Sequence, residues 1–297
     1  MKKALAGSLL ALSLAGVGSA PAVAAPDGAP AQRAADRATD QAADQAAKKG
    51  VDFAGTVALS NCSGSVVRVP RSQPDDPALV LSNGHCLESG FPAAGEVVVD
   101  QPSTRTFKLL DAKGAEKATL RASKISYATM TDTDISLYQL TSSYADIKKK
   151  YGIKALEIED DHPVRKRAVT VVSGYWKKTY TCEIDGFAYR LKEGEWTWKD
   201  SVRYTPACRT IGGTSGSPVI DHKTGKVTAV NNTGNEDGER CTLNNPCEVD
   251  RRGKVTVRKG INYAQQTYGI VPCVGHDSKI DLGRKGCKLP RPAAARR

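Results

Sequence analysis

No apolar stretch in this chain is long enough to be a comfortable membrane span. The run that comes nearest, Ala4 to Val17, follows Lys2 and Lys3 and leads to Ala22-Val23-Ala24, the small-x-small form of a signal-peptidase site. Residues 1–24 therefore read as an export signal, and the protein as secreted and extracellular. Clustered Cys-x-x-Cys pairs are also missing. The tightest spacing, Cys241 to Cys247, leaves five residues between and has no histidine nearby, which argues against zinc ligation. The eight cysteines all lie beyond the signal, and an even count in an exported chain reads as disulfides. Order along the chain suggests Cys62–Cys86, Cys182–Cys208, Cys241–Cys247 and Cys273–Cys287. On the order of a hundred other pairings remain open from sequence alone.

Acidic groups are too few to balance the basic ones. The formal charge is +11, or +9 once Lys2 and Lys3 leave with the signal. Such a surface is attracted non-specifically to polyanions, including anionic cell-wall polymers. The basic residues are scattered and carry no interleaved aromatics, so no specific nucleic-acid partner is expected. Lys279 to Arg297 is basic and contains proline, and residues 276–297 are assigned as a basic tail. Internal repeats are absent. Residues 25–49 almost lack large apolar side chains and cannot offset their ordering entropy, as expected of an Ala-rich propeptide or disordered spacer.

From Val51 the chain alternates short runs rich in Val, Ile, Thr and Tyr with turn residues. Strands are expected at Thr56–Leu59, Ser65–Val69, Ala78–Ser82, Glu96–Val99, Ile135–Leu140, Ala168–Ser173, Val202–Thr205, Val219–Asp221 and Lys226–Val230. The last two flank His222-Lys223-Thr224-Gly225, a hairpin turn. Ser143–Val164 reads as a connector with a short helix over Tyr144–Tyr151. Many short strands and few helical patterns point to an all-β chain of barrels or sandwiches.

Three segments carry chemistry. An apolar strand runs into Asn83-Gly84-His85-Cys86; Thr133-Asp134-Ile135-Ser136-Leu137 opens a second strand; and Gly212-Gly213-Thr214-Ser215-Gly216-Ser217-Pro218-Val219 follows later. A weak hydroxyl nucleophile needs an imidazole to take its proton and a carboxylate to hold the imidazole's tautomer. It also needs donors aimed at the developing oxyanion, and glycines beside the serine let backbone N–H groups approach.

At these residues the chain resembles the trypsin-like, chymotrypsin-fold serine proteases, from Phe53 to about Val271. The Gly-Thr-Ser-Gly-Ser-Pro-Val loop is closer to bacterial secreted members such as the glutamyl endopeptidases. The resemblance implies a domain over residues 50–275 with two six-stranded antiparallel β-barrels and the active site in the cleft between them. It implies that Ser215 is the nucleophile, His85 the general base and Asp134 its orienting acid, with the N–H groups of Gly213 and Ser215 forming the oxyanion hole. It also supports Cys62–Cys86. No cofactor and no metal are expected, and the protein is expected to act as a monomer on protein or peptide substrates.

The family pattern also places the pocket for the side chain before the scissile bond. Six residues before Ser215 stands Arg209, which would repel a basic side chain, so a preference for Lys or Arg is not expected. Thr210 agrees with an acidic preference, whereas Asn231 stands where glutamyl endopeptidases carry a His; Gly234 is assigned to the same pocket. A shallow pocket for small or neutral side chains is the alternative. Animal members have an Asp immediately before the nucleophile that pairs with a newly freed N-terminus. Here Thr214 occupies that position, and a buried unpaired ammonium would cost several kcal/mol, so that activation route is not expected.

Other readings compete. Asp132 is the neighbouring candidate for the orienting carboxylate. His162 reads as a solvated connector residue, His222 as a turn residue, and His276 as part of the cysteine-bounded end. Glu236-Asp237-Gly238-Glu239 reads as a solvated loop, with calcium as the alternative. Ser215, Asp250 and His276 follow the α/β-hydrolase order, but Ser217 breaks the Gly-x-Ser-x-Gly elbow. A catalytically silent homologue acting as an extracellular binding protein is the rival from another class.

Overall fold

The computed structural model describes residues 50–293. The expected signal peptide at 1–24, the Ala-rich segment at 25–49 and the last four residues of the expected tail lie outside the described residues. Seven strands form the first half: β1 (Thr56–Ala58), β2 (Ser63–Arg68), β3 (Pro77–Ser82), β4 (Val97–Pro102), β5 (Thr106–Leu110), β6 (Glu116–Thr129) and β7 (Ile135–Ser143). Six of them close an antiparallel ring in the order β1-β5-β6-β7-β3-β2 and back to β1, while β4 adds to β6 outside it. Closure leaves no ring edge unpaired. Side chains alternate across the wall, as in β6, where Leu120 and Ala122 are buried and Arg121 and Ser123 are exposed. Val57, Val66, Val80, Phe107, Leu109 and Tyr138 fill the interior. Burying each large apolar side chain contributes about 1.5–3 kcal/mol.

Helix α1 (Tyr144–Tyr151) begins where Ser143 and Asp146 form a reciprocal capping box and ends at Gly152, which takes the left-handed conformation. The chain then makes β8 (Leu156–Glu157), parallel to β2. The second half comprises β9 (Ala168–Ser173), β10 (Lys178–Glu193), β11 (Trp196–Tyr204), β12 (Pro218–Asp221), β13 (Val227–Gly234), β14 (Cys247–Val249), β15 (Val255–Val257) and β16 (Asn262–Gln266). Six of these close a second antiparallel ring, β9-β10-β11-β16-β13-β12, with β14 and β15 extending from β10. Val169, Val171, Ile184, Val202, Tyr204 and Ala264 lie in its core. Two six-stranded antiparallel barrels are therefore the architecture, and the hydrolase reading through Asp250 and His276, which needs a parallel sheet, falls with it.

The outer faces of the barrels share a further core. Leu79 and Leu81 of β3, with Ile135 and Leu137 of β7, pack with Val172 of β9, Ile220 of β12 and Val230 of β13. This seam fixes the ends of β3, β7 and β12, which are the strands flanking the three chemical motifs.

The strand expectations need extending. The sequence does not mark β5, β6, β8, β10, β14, β15 or β16, of which β8 lies within the expected connector, and Val202–Thr205 is only the end of β11. In β6 and β10 the outward face is Lys, Arg, Glu and Thr, so propensity is weak and pairing with neighbours far along the chain decides. Residues 276–293, expected as part of a basic tail, are tied down in part. Ile280, Leu282 and Leu289 pack against the seam, and the Tyr127 hydroxyl donates to Pro290 O at 3.0 Å.

Four disulfides join Cys62–Cys86, Cys182–Cys208, Cys241–Cys247 and Cys273–Cys287, and no described cysteine is free. Alkylation of folded protein without reductant should therefore leave its mass unchanged. Two or more alkylated cysteines per molecule would overturn this framework. No helix among the described residues is long and apolar enough to cross a membrane.

Candidate active site

β3 ends at Ser82, and the chain turns through a short 3-10 segment, Gly84–Cys86. The turn needs glycine at 84, because a Cβ there would stand 2.2 Å from Thr129 O. It presents His85 toward the start of β7, where Asp134 is fully buried. Both Asp134 oxygens are engaged by His85: Oδ1 accepts the backbone N–H at 3.1 Å, and Oδ2 lies 2.7 Å from Nδ1. A carboxylate can only accept, so Nδ1 carries the proton and Nε2 is left to act as an acceptor. Burial alone lowers the affinity of His85 for a proton. The charge and hydrogen bond of Asp134, with a smaller push from Glu193, outweigh it and hold the imidazole above its ordinary pKa of 6.5.

The alternative carboxylate is occupied elsewhere, since Asp132 pairs with Lys199 at 2.6 Å. His162 sits against Phe187 and bonds Asp200 at 3.0 Å, and His222 bonds Thr170 at 2.7 Å.

Ser215 precedes β12 and lines one cleft with His85. Its Oγ donates to Asn232 O at 3.2 Å in this resting arrangement. Gly216 has φ +79, and a Cβ there would meet Ser63 O at 2.1 Å, so the loop lies directly on the first barrel. Asn83, which sequence reasoning passed over, ties the three motifs together. Its Nδ2 donates to Asp134 O at 2.7 Å, its Oδ1 accepts from Gly216 N, and its carbonyl accepts from Ser136 Oγ at 2.7 Å.

Among the described residues, the N–H groups of Gly213 and Ser215 donate to nothing. Their orientation follows from the carbonyls on the same peptide planes. In a trans peptide the C=O and N–H point opposite ways. Gly212 O accepts the indole N–H of Trp176 at 2.7 Å, which turns the Gly213 N–H away from Trp176. Thr214 O accepts from Asn231 Nδ2 at 3.2 Å and from Ser217 N at 3.1 Å, which turns the Ser215 N–H away from Asn231. Ser63 Oγ holds the intervening Gly213 O at 3.1 Å.

Thr210, Asn231 and Gly234 line the cleft, which has a volume of about 90 Å³. Arg209 does not line it; it is exposed, and its N–H bonds Ala207 O at 3.1 Å. The buried Asn231 side chain is turned to Thr214, donating to both its carbonyl and its hydroxyl. Trp176 and Asn83 act across long sequence separations, and no local pattern marked them.

The sequence matches the family model described as a trypsin-like peptidase domain over residues 62–230, more than half the chain. No curated protein matches it. Among solved structures it is similar to the active form of the Rv3671c protease from M. tuberculosis. That match has 14% identity and a TM-score of 0.46, and covers 94% of this chain and 97% of that one. It is also similar to the MamO protease domain from Magnetospirillum magneticum (11%, TM-score 0.44, 73% and 94% covered). A third is a thermostable serine protease from an extremophilic microorganism (15%, TM-score 0.43, 72% and 91% covered).

Proposed function

The chain belongs to the trypsin-like peptidase family, and from that membership we propose that it is a secreted serine endopeptidase working through an acyl-enzyme on Ser215. The observation that carries this reading is the buried Asp134–His85 pair, closed at 2.7 Å in the same cleft as Ser215. In the proposed cycle Ser215 Oγ rotates from Asn232 O toward His85 Nε2 and attacks the peptide carbonyl as its proton passes to Nε2. The oxyanion forms against the Gly213 and Ser215 N–H groups. His85 then protonates the leaving amine, and water repeats the sequence to release the acid. Asp134 stabilises the imidazolium without taking its proton.

A fluorophosphonate probe tests the reading, since covalent labelling mapped to Ser215 is expected. An unlabelled Ser215 in folded protein would instead favour the silent binding homologue. With Arg209 outside the cleft, its attraction for an acidic side chain is removed. We therefore place a small or neutral side chain before the scissile bond, against Thr210, Asn231 and Gly234.

Thr214 gives a freed N-terminus no carboxylate to meet. In this proposal Trp176, Ser63 and Asn231 hold the oxyanion loop in its place, and Trp176 is a positioning residue. Trp176→Phe keeps the ring and removes the donor to Gly212 O. A fall in kcat of about tenfold is expected with KM little changed, because only the oxyanion state uses the freed N–H. The affinity for a peptide trifluoromethyl ketone, whose adduct carries an oxyanion, should fall in parallel. A change confined to KM would rule out the positioning role.

A further inference from the structure

The cleft is acidic in a basic protein. Glu193 and Glu236 line it and, among the described residues, no Lys or Arg does, although the chain's formal charge is +11. Glu193 closes β10, paired with Trp196 across the hairpin, and is only 4% exposed. Its Oε1 accepts the Asn244 N–H at 2.8 Å, whereas Oε2 is buried with no hydrogen-bond partner among the described residues. The Thr233 hydroxyl and the His85 imidazole face it, the latter already held by Asp134. Burial pushes the Glu193 carboxyl above its ordinary pKa, as expected of an acid lacking a full counter-charge.

Neighbouring groups share the deficit. Asn232, also 4% exposed and lining the cleft, has neither amide atom paired among the described residues, and Asn231 Oδ1 is likewise buried without a partner there. Glu193 Oε2 and Asn232 Oδ1 are thus two buried acceptors in one cleft without a donor among the described residues, and Asn232 Nδ2 is an unpaired donor there. Buried polar groups are normally satisfied, so such a set marks a place where a ligand supplies the donors. One of them is a carboxylate, and the ligand group that matches it is a cation rich in N–H.

The position of Glu193 in the cleft follows from the aromatic contacts. Phe91 meets the His85 ring edge-on at 5.7 Å and the Trp196 ring at 5.7 Å, so the Glu193 hairpin is reached from the His85 side. Thr210, against which the side chain before the scissile bond is placed, lies instead in the loop that Trp176 holds at Gly212 O. Phe91 and Leu243 are 49% and 52% exposed and line the cleft, offering apolar surface to an aliphatic stem.

Resting on the endopeptidase reading, we propose that Glu193 is the counter-ion for a Lys or Arg side chain of the substrate. That side chain is bound in a subsite on the His85 side, apart from the residue before the scissile bond. The protein would then cleave basic segments of polypeptide without requiring a basic residue at the cut itself.

Fluorophosphonate labelling of Ser215 first establishes a competent nucleophile, which separates failure of this proposal from failure of the enzyme reading. A peptide series then carries one Lys or Arg at each position from four residues before the bond to two after. Each peptide is compared with norleucine or citrulline at the same place. One position other than that before the bond should favour the cation by about tenfold or more in kcat/KM. In Glu193→Gln that preference should fall to within about twofold. A flat wild-type profile, a preference confined to the residue before the bond, or one that survives Glu193→Gln overturns the proposal. If Glu193→Gln does not fold, Glu193→Asp, which withdraws the charge by one methylene, should weaken the preference severalfold. An unchanged preference in Glu193→Asp counts against the assignment equally.

Discussion

Ser215→Ala should lower kcat on a peptide substrate by about 10⁶, and His85→Ala should cost about as much, with the double variant falling little further. The reason is that the two groups act as one unit. Without Oγ there is no atom to be acylated, and without the imidazole the hydroxyl keeps its proton and is a poor nucleophile. What remains is about 10³–10⁴ over water from the oxyanion donors and substrate binding, a role the proposed cycle gives to the Gly213 and Ser215 N–H groups. Ser215 is half-buried in a loop whose shape depends on Gly216 and Asn83, so removing its Oγ should leave the fold intact. The measurement is single-turnover and steady-state hydrolysis by active-site-titrated enzyme, with thermal melting as the check on folding. Near-normal turnover by folded Ser215→Ala would end the serine-protease reading.

The second large effect is expected at Asp134. Asp134→Asn should lower kcat by about 10⁴ with the backbone unmoved. An amide turned with its NH₂ toward Nδ1 makes that nitrogen an acceptor, which puts the ring proton on Nε2, where the nucleophile needs a base. The pH dependence should change as well. Wild-type activity requires neutral His85, so it should rise with pH through a midpoint above 6.5 and be lost below it, because the folded protein raises that pKa. Asp134→Asn removes the charge that raises it and leaves burial, which acts the other way. The acid limb of the residual activity should therefore move to lower pH. An acid limb that stays in place would mean that Asp134 does not set the protonation of His85.

Much of this was legible because it is local. A buried strand running into Asn-Gly-His-Cys, an Asp at a strand start and a glycine-flanked Ser each announce themselves within about eight residues. Their chain order then separates this chemistry from other serine hydrolases. Short, continuously buried apolar runs between turn residues marked β3, β7, β9 and β12. Where every second residue is Lys, Arg, Glu or Thr, as along much of β6 and β10, no such run exists, and only pairing with distant strands makes the segment a strand.

Tertiary structure decided the direction in which side chains point. Arg209 stands one residue from Thr210, yet Thr210 lines the cleft and Arg209 faces solvent. Asn231 is in the cleft wall, but its amide is used to hold Thr214. Trp176 reaches Gly212 across 36 residues, and Asn83 reaches Gly216 across 133. Glu193 becomes a buried acid in the same cleft as His85 only because the end of β10 brings it there. By itself the sequence determined which atoms could do the chemistry and in what order the chain supplies them. Closure of two rings against a shared core decided which of those atoms meet, since hydrogen-bond register, and not proximity in sequence, sets where each side chain is aimed.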